Sequence, residues 1–156
     1  MDGVVRDFHG TIVVQTIRRY EAPELADYDR EHGVVQYTLG GRYLFRENPQ
    51  LTATGVFEGK LTSGFYTDKL GKVRYDDIEG AADGFSNNEF VGVWKSYRSH
   101  MLKKCNWGDY RAPDSGDLDE GAGEFIPNEK YLQNGWQSFQ LDDEHHLAVE
   151  TREWWK

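Results

Sequence analysis

Cysteine occurs once in this 156-residue chain, at position 105, which excludes an intrachain disulfide and the structural zinc sets built on two or more thiolates. Long apolar runs are missing too. Nothing approaches the roughly 20 consecutive apolar residues that a membrane-crossing helix needs. The start, Met1-Asp-Gly-Val-Val-Arg-Asp7, carries neither the basic nor the apolar segment of a secretory signal. Both absences point to a cytoplasmic protein with no membrane partner. Signature loops are absent as well. There is no Gly-x-Gly-x-x-Gly after a strand, no P-loop, no Gly-x-Ser-x-Gly elbow and no His-Glu-x-x-His, so no cofactor is expected. Leu, Ile, Val and Phe supply only 34 of the 156 residues, so five Trp and nine Tyr must complete any core, and their polar tips then need partners.

Positive charge is scarce in the last third. Residues 107–156 hold 12 acids against 4 bases, whereas residues 1–106 hold 15 against 14, and the chain nets −9. An acidic chain repels phosphate backbones, so nucleic acid is not an expected partner. Bases gather once, in Lys95-Ser-Tyr-Arg-Ser-His-Met-Leu-Lys-Lys104, directly before an acidic stretch from Asp109 to Glu124. Either the two segments neutralise each other, or the first receives anions while the second meets a basic protein partner.

What is present is mostly strand. Residues 10–20 are rich in β-branched side chains, and 34–46 resume the pattern around Gly40-Gly41, a hairpin turn or a bulge in one long strand. In 53–66, Phe57, Gly59, Leu61, Ser63 and Phe65 alternate with Glu58, Lys60, Thr62 and Tyr66. Asp68-Lys-Leu-Gly71 then forms a turn, and Lys72-Val-Arg-Tyr-Asp returns as the partner strand. Residues 89–98 alternate again. Residues 22–32, with Pro23 at a first helical position and Gly33 as a stop, predict one short helix or loop. Tyr131–Leu141 reads as a strand, and 146–155 as a closing strand in preference to a short helix. Two segments, Phe57-Glu-Gly59-Lys-Leu61-Thr-Ser63 and Phe90-Val-Gly92-Val-Trp94-Lys-Ser96, share the pattern Phe-x-Gly-x-apolar-x-Ser. A glycine between large inward side chains lets a neighbouring ring approach the sheet closely. The expected fold is a single all-β domain over 1–156, an antiparallel β-barrel or barrel-like sandwich.

Asn88-Glu-Phe-Val-Gly-Val-Trp-Lys-Ser-Tyr97 resembles the Gly-x-Trp strand of the calycins, the lipocalin and fatty-acid-binding-protein barrels. In those families the strand lies near the N-terminus and its tryptophan plugs one end of the barrel. Here Trp94 comes late in the chain. The resemblance implies a calycin-like meander and transfers no ligand or residues.

Candidate chemistry concentrates in 94–111. Trp94, Tyr97, Arg98, His100, Lys104, Trp107, Tyr110 and Arg111 combine flat rings with cations, a set suited to stacking on and charge-pairing with a small anionic or aromatic ligand. Cys105 beside Lys103 and Lys104 is either a thiol of lowered pKa or a plain half-buried one; on a strand, His100 and Cys105 would face opposite ways. Asp117-Leu-Asp-Glu-Gly-Ala-Gly-Glu124 has the alternate carboxylates of a calcium loop, but Gly121 and Asn128 stand where ligands belong, so no metal is assigned. His145-His146 would point to opposite faces of a strand. Three functions follow in order: a non-catalytic binding protein holding a small ligand at a barrel mouth; an acidic protein–protein interaction module such as an inhibitor, immunity or anti-defence factor; and an enzyme on a β-barrel scaffold, drawing on His100, Asp109 and Glu124.

Overall fold

The computed structural model describes residues 5–20, 33–141 and 143–151. The short helix or loop expected near 22–32 lies outside the described residues. Two compact units are present, Asp7–Asp114 and a second comprising Met1–Arg6 with Ser115–Lys156.

The first unit is one seven-stranded antiparallel sheet. Its strands are β1 (Phe8–Arg19), β2 (Val35–Glu47), β3 (Gly55–Thr67), β4 (Val73–Tyr75), β5 (Asn87–Ser96), β6 (Leu102–Lys104) and β7 (Trp107–Asp109). Their order is β1-β2-β3-β5-β6, with β4 pairing β3 and β7 pairing β5. The chain is all-β and antiparallel, as its alternation predicts. The path from β1 to β6 does not close into a barrel. Gly40-Gly41 proves to be interior to β2, not a hairpin turn. The irregularity lies opposite it, where Val14 pairs Gly41 and Thr16 pairs Gly40, leaving Gln15 as an extra residue in β1. The predicted turn forms as well. The Asp68 side chain accepts from Leu70 N at 2.9 Å and Lys72 N at 3.0 Å, and Gly71 takes φ 75°.

Cross-strand register sets Tyr43 of β2 opposite Gly59 of β3, and Gly59 opposite Gly92 of β5. The two glycines of the internal echo therefore face each other, and the phenol of Tyr43 lies across both. A Cβ on Gly92 would meet the Tyr43 hydroxyl oxygen at 2.3 Å and the Glu58 carbonyl oxygen at 2.2 Å. Around this point Tyr43, Phe45, Phe57, Phe90 and Trp107 pack with centroids 4.7 to 6.2 Å apart. Tyr43 and Leu61 are the buried hydrophobic residues of the described chain. The core is thus a single layer of rings on one face of the sheet.

In the second unit the expected strand at Tyr131–Leu141 is instead two 3₁₀ helices, Glu129–Asn134 and Gln137–Gln140. No β-branched residue occurs in 131–141 to favour a strand. Asn128 caps the first turn by accepting from Lys130 N, and Gly135 at φ 116° ends it. The closing strand expected over 146–155 is also overturned: Asp143–Glu150 is a helix, α1, opening on two acids that suit a helix N-terminus. Phe125, Trp136, Phe139 and His146 form a ring cluster there, with centroids 4.4 to 5.9 Å apart. Among the described residues no helix is long and apolar enough to cross a membrane.

Candidate functional site

The eight residues singled out in 94–111 take several different places in the sheet unit. Trp94 donates its indole N–H to Glu47 Oε2 at 2.8 Å, and Tyr97 donates its hydroxyl to the Glu47 carbonyl at 3.2 Å. Glu47 also accepts from Gly55 N at 2.7 Å, so this buried carboxylate ties β2, β3 and β5 together. Arg98 and His100 lie exposed in the turn after β5, with His100 at φ 56°. Lys104 pairs with Asp114 at 2.8 Å, a local case of the basic and acidic segments neutralising each other. Trp107 stacks on Phe90 at 4.7 Å and 10° within the ring layer. Tyr110, exposed and at φ 66°, meets Phe85 edge-on at 5.0 Å, and Arg111 reaches Gly84.

The Cys105 thiol is pushed up by burial, with a smaller push from Glu47, so it stays protonated at neutral pH. A lowered, nucleophilic thiol is therefore not what the fold builds. The carboxylates of the calcium-like stretch bond the protein's own donors. Asp119 accepts from Gly121 N and Ile126 N, Asp117 pairs with Lys130, and Glu120 accepts from Asn128. His145 and His146 sit on α1 instead of a strand, with His146 packed on Phe139.

Two phenols stand out electrostatically. Tyr43 is pushed up to about 12 by burial, then by Cys105 and Glu58. Tyr75 is also pushed up to about 12, by burial and by the bond it donates to Asp109 at 2.9 Å. An unfolded tyrosine ionises near pH 10, so the native state holds these protons where the unfolded chain has lost them. The stability these protons carry is complete below about pH 10 and is lost as pH rises toward 12. Thermal melting followed upward from about pH 9 should fall steeply above 10, and less steeply in Tyr43→Phe. Equal slopes for the two proteins would refute the assignment to Tyr43.

Two other features emerge that no local sequence pattern marks. The first is β1: all 12 of its residues are exposed, including Phe8, Ile12, Val13, Val14 and Ile17. It pairs with β2 on one side, and among the described residues its other edge ends the sheet. The second is a hollow of about 230 Å³ between the ends of β2 and β3, the start of β5 and the 76–86 loop. Two buried amides stand in its wall. Asn87, 4% exposed, uses both its atoms: Oδ1 accepts from Gly64 N and Asn88 N, and Nδ2 donates to Gly64 O and Asp76 O. Gln36, 3% exposed, donates Nε2 to Asp76 Oδ1 at 3.4 Å, while its Oε1 has no partner among the described residues.

No protein-family model, curated protein or solved structure matches the chain.

Proposed function

We propose that the protein is a non-catalytic protein-interaction module that works by strand addition at β1, the occupant being a second copy of the chain. The exposure of the whole of β1 carries this reading. A strand of 12 residues spans roughly 40 Å of unpaired N–H and C=O groups. Natural edges are blunted by proline, lysine, shortness or bulges; β1 is long and has neither proline nor lysine, its one irregularity is Gln15, and its charge is confined to Arg18, Arg19 and the preceding Asp7. Antiparallel self-pairing sets the Arg18–Arg19 end of one copy beside Asp7 of the other, whereas parallel pairing would stack the arginines on each other. Phe8 packs on Phe45 and Phe57 at 5.2 and 5.6 Å, so the exposed apolar surface of β1 adjoins the ring layer.

This reading ranks ahead of a small ligand held by residues 94–111, because those side chains are spread over a strand end, a turn and the ring layer. Light scattering over about 1 to 100 μM protein tests it. The mass should rise from 18.0 kDa toward twice that value, with β1 amides becoming protected from hydrogen exchange. The double variant Thr11→Lys, Val13→Lys should remain folded and monomeric. A wild-type chain that stays monomeric at every concentration, with β1 amides exchanging freely, would overturn the reading.

A further inference from the structure

We propose that the hollow at Gln36 is a binding site for an organic cation, an alkylammonium or guanidinium group. The unused Gln36 Oε1 is the leading observation. A buried carbonyl without a donor costs free energy unless something supplies the missing hydrogen bond. The amide cannot be turned to use that oxygen at Asp76, because two acceptors would then meet. The neighbouring Asn87 amide, bonded through both atoms, shows that this wall can satisfy a side-chain amide when no ligand is needed.

The remaining described lining sets carboxylates beside the neutral hydroxyls of Thr38, Thr62 and Ser86. Asp76, Glu79 and Glu89 contribute three carboxylates, and among the described residues no lysine or arginine lines the hollow. Glu89 accepts from the Ser86 hydroxyl at 3.0 Å, which orients one of these carboxylates. Arg111 reaches Gly84, beside the loop wall, and does not line the space. Tyr20 and Phe85 also line the hollow, and aromatic side chains beside carboxylates suit a cation that carries carbon. A bare metal ion fits poorly, since among the described residues no three acidic, histidine or cysteine side chains converge as ligands. A volume of about 230 Å³ takes a guanidinium with part of its alkyl stem. The site recognises a chemistry that a protein's Arg or Lys side chain and a free polyamine share.

Calorimetry at low salt tests this with N-acetylargininamide, agmatine and the uncharged isostere N-acetylcitrullinamide. The cations should bind at least about tenfold more tightly than the isostere, and added salt should weaken them. Glu79→Gln, at an exposed position, and Gln36→Leu, at the buried one, should each weaken the cations by about tenfold. Tighter binding of N-acetylargininamide than of agmatine assigns the site to a side chain of another protein; the reverse order assigns it to a free amine. Equal binding of cation and isostere, no effect of Glu79→Gln, or displacement of the cations by stoichiometric calcium would overturn the proposal. It does not rest on pairing through β1, and the Thr11→Lys, Val13→Lys monomer should bind the same probes with unchanged affinity.

Discussion

Valine in place of Gly92 is expected to destabilise the sheet unit by on the order of 4 kcal/mol, enough to unfold a domain of ordinary stability. The cause is two simultaneous collisions. A Cβ at this position meets a backbone oxygen of β3 at 2.2 Å and the Tyr43 hydroxyl at 2.3 Å. Moving the phenol aside would remove the second collision and leave the first, so Tyr43→Phe should not rescue the variant. Gly71 makes the matching control. It takes φ 75° in the β3–β4 turn, where an added Cβ meets nothing within 4 Å. Gly71→Ala should therefore cost only about 1 kcal/mol, the penalty of the left-handed backbone alone. Urea denaturation of the two variants reads the difference directly. Comparable losses would show that backbone conformation, and not crowding against β3, fixes glycine at position 92.

The second large effect belongs to Trp107. Its ring stacks on Phe90 and meets Tyr43 and Phe57 edge-on at 5.3 and 6.1 Å. Truncation to alanine opens a gap in the middle of the ring layer, between Phe90, Tyr43 and Phe57. A loss of about 3 kcal/mol is expected. The sequence leaves two roles for this residue, a plug in a loop or a ligand-binding ring, and they predict opposite outcomes. A folded variant of nearly native stability would return Trp107 to the binding surface. A lowered urea midpoint with an unchanged slope would fix it as core.

The long strands were legible because each announces itself locally. The alternation of Phe57, Gly59, Leu61, Ser63 and Phe65 survives as one face of β3, and the Asp68–Gly71 turn forms where its residues require it. The paired glycines were visible as an echo at Gly59 and Gly92, yet the reason for them was not. Tyr43, the ring that needs the space, comes from a third strand. In Gly92-Val-Trp94, Gly92 makes room for Tyr43 and Trp94 is tied to Glu47. In the second unit the Tyr131–Leu141 strand fails because no β-branched residue there favours extended backbone, and Asn128 and Gly135 bound a 3₁₀ helix instead. The hollow at Gln36 could not be read at all. Its parts come from positions 20, 36 to 38, 62, 64 and 76 to 89, and a lone glutamine in an alternating strand looks like an ordinary solvent-facing residue.

The extra residue at Gln15 governs how far an assembly can grow. Fibrils propagate when straight, featureless edges stack in register without limit. The bulge divides the β1 ladder into a run from Phe8 to Val14 and another from Thr16 to Arg19, with added twist between them. An arriving strand finds continuous register on one side of Gln15 only, or must carry a matching irregularity. Polymerisation is thereby penalised at an edge that is otherwise long and apolar. Deleting Gln15 would join Val14 directly to Thr16, leave the pairing with β2 in step, and give the protein the uninterrupted edge from which filaments start.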